Sequence, residues 1–261
     1  MKPGVPQERL SSGPANATYV YCLVHSKARP SLRGAPDSVP GAGPVRLLQI
    51  DREIWAAVAD APLEHFAGDA LQQEMQDVEG ISRHALAHAS VIEFFFRRSP
   101  VIPLKLLTLF SSEEKVTVHV RSRLATLKRM FASLSGREEW AVRIIAGEVD
   151  REAARTLDSG RAYLTLKKRL QERSATTSRK TVRALDSALR SLGRVAVKSR
   201  KDTFSAAAKG RPYVAGGSFL VDAKRRALWT KQISLVTAAM DDAGHRLEVS
   251  GPWPPYHFVS R

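Results

Sequence analysis

Residues 213–250 read YVAGGSFLVDAKRRALWTKQISLVTAAMDDAGHRLEVS, a strand, a helix and a strand in immediate succession. Tyr213 to Val221 is a β-rich run. Asp222 is a capping residue for a helix that carries Trp229, Ile233, Val236 and Met240 on one face. Gly244 supplies the stop, and His245 to Ser250 closes as a further strand. Working upstream, Trp140 to Ile145 has strand composition, and a helical region spans about Arg151 to Leu192. Within that region Leu157, Gly160 and Leu164 share a face, and Val182, Leu185, Leu189 and Leu192 form a later stripe. Ser174–Ser178 marks a break between two helices, and Gly193 a stop. Val195 and Val197 alternate with basic residues as in a half-exposed strand. The order from Trp140 onward is therefore β-α-β-β-α-β, the split βαβ arrangement of ferredoxin-like domains.

The first half gives a related pattern. Thr18 to Val24 (TYVYCLV) is a buried strand, and residues 26–44 form a loop set by four prolines and three glycines. Val45–Ile50 and Ile54–Ala59 flank Asp51-Arg52-Glu53 as a hairpin. A helix over about Val78 to Arg98 is expected from Ile81, Ala85, His88, Ile92 and Phe95 on one face. Val101 to Leu104 is a short strand whose Pro103 argues for a sheet edge or a strand end. Ser111 with Glu114 forms a capping box for a helix with Val116, Val120, Leu124, Leu127, Phe131 and Leu134 on one stripe. Gly136 ends that helix. The expected fold is α+β in two domains, 17–135 and 136–250, each a small sheet with helices packed on it. Flexible residues 1–16 and a Pro/aromatic tail, 251–261, flank them.

The 261 residues carry 41 Lys+Arg against 26 Asp+Glu, a net charge of +15. All of the excess lies in residues 151–231, which hold 21 basic and 6 acidic side chains; residues 1–110 are neutral. A field so concentrated attracts anionic partners, whether an acidic protein surface, nucleic acid or anionic lipid. Lys167, Lys168, Arg169, Arg179, Arg183 and Arg190 are the candidate contacts on its helices. Few aromatics interleave with these cations, so base stacking is not specifically signalled. A single cysteine, Cys22, excludes an internal disulfide and fits a cytoplasmic protein. The sequence shows neither a membrane-length apolar run nor a signal peptide.

Catalytic signals are absent. His84 and His88 have the spacing of two metal ligands on a helix, without the zinc-protease glutamate, and His88 belongs to the apolar stripe. Glu138 and Glu139 are adjacent on a strand and so point to opposite faces. Gly210 to Gly217 lacks a phosphate-loop pattern. No cofactor is implied. The most unusual run is residues 250–258, SGPWPPYHF, whose prolines favour an extended segment and whose Trp253, Tyr256 and Phe258 supply apolar area. It reads either as a tail packed on its own domain or as an aromatic arm for a partner.

That run, Gly251-Pro252-Trp253-Pro254-Pro255-Tyr256-x-Phe258 after Leu247-Glu248-Val249, resembles the terminal signature of the gas vesicle protein GvpL/GvpF family. Tyr19-Val20-Tyr21, Trp55-Ala56-Ala57-Val58, His88 with Val91-Ile92, Val101-Ile102-Pro103-Leu104, Gly136-x-x-Glu139-Trp140-x-Val142 and Gly160-x-Ala162-Tyr163-Leu164 support it in order. The resemblance implies two α+β domains and a non-catalytic role in building gas vesicles in the cytoplasm. The implied partners are the shell protein and other accessory proteins. The family often shows Pro-Leu-Arg-Phe-Gly-Thr where this chain has Pro103-Leu104-Lys105-Leu106-Leu107-Thr108. Losing the glycine removes a backbone option, and the change from Arg to Lys removes a planar bidentate donor. A basic module binding nucleic acid through residues 151–231 is the alternative.

Overall fold

The computed structural model describes residues 16–68, 76–146, 183–202 and 213–259. The chain divides between Ser135 and Gly136 into two compact units.

The first unit contains β1 (Asn16–His25), β2 (Arg46–Gln49), β3 (Ile54–Pro62), α1 (Val78–Phe96), β4 (Val101–Pro103), β5 (Leu109–Phe110), α2 (Glu113–Arg121) and α3 (Leu124–Leu134). One helical turn, Leu63–Phe66, follows β3. The sheet runs β2-β3-β1-β4 with β5 also on β1, all antiparallel. β1 is buried at every residue from Ala17 to Val24 instead of alternating, because both of its faces are covered. The Tyr19 and Tyr21 rings stand against His88 of α1, and the His25 ring meets Phe131 of α3. Pro103 sits on a strand with one neighbour, where its missing N–H costs no ladder bond.

Two local expectations are corrected. The helix cap after β5 is Ser112, which accepts from Lys115 N–H at 3.3 Å, and not Ser111. The single stripe from Val116 to Leu134 is split into α2 and α3 at Ser122-Arg123. There Ser122 Oγ donates to the His119 carbonyl, a local bond that competes with the helix ladder. Val116, Val120, Phe131 and Leu134 are nevertheless buried.

The second unit contains β6 (Arg137–Ala146), helical residues 183–195 (α4), β7 (Lys198–Lys201), β8 (Tyr213–Asp222), α5 (Arg226–Asp242) and β9 (His245–Trp253). Its sheet runs β7-β8-β6-β9, fully antiparallel. This is the ferredoxin-like order, with the first and last strands side by side. Val142, Ile144, Phe219 and Val221 from the strands pack with Leu185, Leu189, Leu192, Trp229, Val236 and Met240 from α4 and α5. Asp222 caps as expected, accepting from Lys224 N–H at 2.9 Å, although a 3₁₀ turn precedes α5. Val195 and Val197 are not strand residues: the helix runs through Gly193 to 195, anchored by fully buried Leu192, and the strand begins at Lys198. The break expected at 174–178 and the Leu157/Gly160/Leu164 face lie outside the described residues.

Within each unit the strands, numbered in chain order, lie 2-3-1-4 across the sheet. In the second unit helical residues lie between the first and second strands. In the first, residues 26–45 make that crossing without a helix. They are held to the sheet by a bond from Val39 N–H to Tyr21 Oη at 3.1 Å, with Val39 itself buried.

Candidate interaction surface of the second unit

Glu138 and Glu139 open β6 and are both buried, at 4% and 2% exposure. Strand alternation sends them to opposite faces of the sheet. On the helix side Glu138 receives Arg226 through two parallel bonds, Nε to Oε1 at 2.9 Å and Nη2 to Oε2 at 2.6 Å. Trp140 Nε1 adds a third, at 3.0 Å. This bidentate pair ties the first turn of α5 to β6 and holds the Arg226 guanidinium firmly protonated. On the other side, the backbone N–H of His257 donates to Glu139 Oε2 at 2.9 Å, and His257 Nδ1 lies 2.5 Å from Oε1. Ser218 Oγ of β8 is 3.2 Å from the same ring nitrogen.

The C-terminal run is therefore folded back on its own unit. β9 continues through Gly251 and Pro252 to Trp253, which lies opposite Glu139 after a bulge. Pro254 and Pro255 are buried, and Tyr256–Phe258 forms one 3₁₀ turn that aims His257 at Glu139. Gly251 has φ 135°, and a Cβ there would lie 2.8 Å from the Glu139 carbonyl oxygen. Only glycine fits this approach. Tyr256 and Phe258 are half-buried, whereas Trp253 is 41% exposed with its Nε1 donating to Ser250 Oγ.

Of the basic candidates, Lys167, Lys168, Arg169 and Arg179 lie outside the described residues. Arg183 and Arg190 are exposed on α4, pointing away from its buried stripe. Asp186 pairs with both Arg190 and Lys201, and their charges hold its carboxyl below the usual carboxylate range. The sequence reading missed Arg226, His257 and Ser218. The adjacent glutamates were its only signal, and their partners lie 88 and 118 positions away.

In the first unit His84 and His88 are both buried on α1 but serve different partners. His84 Nδ1 is 3.1 Å from the Gly80 carbonyl oxygen. His88 Nε2 is 3.1 Å from the Leu104 carbonyl oxygen, and its Nδ1 is 2.9 Å from Tyr19 Oη. Burial lowers the His88 pKa, with the Leu104 bond acting in the opposite sense. The neutral ring then donates from Nε2 and accepts the Tyr19 hydroxyl at Nδ1. Tyr19 Oη in turn accepts the Leu107 N–H at 3.1 Å. Among the described residues no three His, Cys, Asp or Glu side chains gather as a metal site. No described helix is long and apolar enough to cross a membrane.

The sequence matches the family described as gas vesicle synthesis protein GvpL/GvpF over residues 17–260. The chain belongs to the GvpL/GvpF family. It is 26% identical over 255 residues to gas vesicle protein L of Streptomyces sp. (strain CB03234), covering 92% of each chain. Two crystal structures of GvpF share its fold, each with a TM-score of 0.65. That from Anabaena sp. PCC7120 is 17% identical over 94% of this chain and 97% of its own. That from Microcystis aeruginosa is 15% identical over 94% and 99%. As a GvpL/GvpF chain it has a gas-vesicle-associated role, and the two sheet-and-helix units are the form in which the family fold appears here.

Proposed function

We propose that this chain is a non-catalytic accessory protein of gas vesicle assembly, acting in the cytoplasm by binding the vesicle shell protein and other accessory proteins. The family match across both units carries this reading. Two features of the second unit support a binding role. Its two buried carboxylates are engaged within the fold, Glu138 by Arg226 and Glu139 by His257. Its exposed chemistry is cationic on α4 and β7 and aromatic at Trp253. In this reading Trp253, with Tyr256 and Phe258 behind it, is an anchor presented on a segment already fixed in place. Arg183 and Arg190, with Lys167, Lys168, Arg169 and Arg179, attract acidic partner surfaces. The nucleic-acid alternative has no support from the described aromatics of the basic segment, since Phe219 and Trp229 are buried in the core and cannot stack on bases. The test is deletion of the gene together with affinity purification of the tagged protein. Loss or malformation of vesicles, with the shell protein recovered on the tag, is expected. Vesicles normal in number and shape would overturn the proposal.

A further inference from the structure

A cleft of about 250 Å³ opens between helical residues 183–195 and strand β7. Leu189, Gly193 and Phe219 form its apolar side, and Arg190, Arg194 and Lys201 stand around it. Asp186 pairs with Arg190 and Lys201. Arg194 and Arg200 are exposed and have no ion-pair partner among the described residues. Among the described residues β7 has β8 as its one neighbour and no strand on its outer edge, and all four of its residues are exposed. Asp202 N–H donates to the Gly216 carbonyl oxygen. Antiparallel pairing alternates, so the backbone groups of Ser199 and Lys201 face outward.

Three of the four side chains of β7 are cationic, and they project to both faces of the sheet. Lys201, opposite Gly217, lies on the α4 side, while Lys198 and Arg200, opposite Leu220 and Ser218, lie on the other. Such an edge repels a second copy of itself, because like charges across a strand pair are unfavourable. It is complementary to a strand with acidic side chains on both faces. The geometry points to a docking site for an extended acidic segment of a partner protein. The segment pairs through its backbone with Ser199 and Lys201, meets Lys198, Arg194 and Arg200 with carboxylates, and sets an apolar side chain at the mouth of the cleft beside Gly193. This assignment rests on the reading of the chain as a binder of partner proteins.

The test uses the full chain and a fluorescein-labelled peptide repeating Glu-Glu-Val, which places carboxylates on both faces of a strand (the Glu-Val peptide; the Gln-Val peptide repeats Gln-Gln-Val), followed by anisotropy. Binding that weakens with salt is expected, and R194E/R200E should lower affinity about tenfold or more. R194Q/R200Q should give an intermediate loss, and circular dichroism checks that both variants fold. A Gln-Val peptide should fail to bind, as should the Glu-Val peptide with its central amides N-methylated. Equal binding of the Gln-Val peptide, unchanged affinity in R194E/R200E, or tighter binding of an oligothymidylate would overturn the assignment. So would a wild-type protein that ignores the Glu-Val peptide. If that last result came with loss of vesicles on gene deletion, the cleft alone would be rejected and the accessory role would stand.

Discussion

Glu139 and His257, separated by 118 positions, are joined by two hydrogen bonds to one buried carboxylate, from the backbone N–H and from the imidazole of the same residue. The side chain of Glu139 is 3% exposed, so this carboxylate depends on the C-terminal turn for its solvation. His257→Ala keeps the backbone bond and removes the ring. Leaving the charge partly unsatisfied should cost about 2 kcal/mol. Truncation after Ser250 removes both bonds and the buried Pro254 and Pro255, so its cost should be larger. Chemical denaturation measures both. A truncated protein as stable as the intact one would show that the turn is not part of the unit's framework.

Trp253 is the counterpart of that prediction. Its ring is 41% exposed, and its one described hydrogen bond goes to an exposed serine. Trp253→Ser should change stability by no more than about 0.5 kcal/mol. Recovery of the shell protein in a pull-down should nevertheless fall. Undiminished recovery would remove Trp253 from the partner-binding residues.

Arg226→Lys replaces a two-pronged donor with a point charge. Glu138 would keep an ionic partner but lose the parallel pair, with an expected cost of about 1 kcal/mol. Arg226→Ala strands the buried carboxylate and should cost about 2–3 kcal/mol. Equal costs for the two would mean that the pair acts through charge alone.

Leu107 has φ 60°, in the left-handed region that favours glycine. A leucine there is strained by roughly 1–2 kcal/mol. Leu107→Gly should relieve that strain, less up to about 1 kcal/mol for the greater entropy of the unfolded glycine chain. A small rise in melting temperature is therefore expected, with the bond from residue 107 N–H to Tyr19 retained. A fall would show that the leucine side chain contributes more than its backbone costs.

His88 gives a pH dependence whose sign can be worked out. Its pKa in the folded chain is lowered by burial, while the unfolded ring titrates near its ordinary value of about 6.5. Below that value the unfolded chain binds the proton more readily, so the stability contributed by the neutral ring is complete above pH 6.5. It is lost as pH falls toward the folded value. Urea midpoints at pH 8 and 5.5 should differ less in His88→Asn than in the wild type. Identical slopes would assign the acid sensitivity to other groups.

The element order was legible because periodicity is local. The 3.6-residue stripe of α5, the β-rich run of β1 and the stops at Gly136 and Gly244 each occupy a short window. The departures come from interactions that a stripe does not carry. At Ser122-Arg123 the chain leaves the helical path, and one stripe becomes two helices. At 193, burial of Leu192 carries the helix past a glycine that should have ended it. At the candidate surface Glu138 and Glu139 were visible, and their facing in opposite directions followed from the strand. Arg226 and His257 were not visible, because strand order alone decides which distant residues reach them. The tail's double character, its prolines and His257 inward and Trp253 outward, is likewise set by the bulge opposite Glu139.

The position of β6 has a consequence for how the protein is made. It lies inside the sheet, yet its neighbours β8 and β9 start at Tyr213 and His245. On a translating ribosome β6 emerges with both of its edges bare; β8 can cover one after roughly 75 further residues, and β9 the other only after roughly 110. An interrupted chain retains a strand with an open edge, a surface prone to wrong pairing. The second unit thus closes its sheet only when the last strand of the sequence has been made.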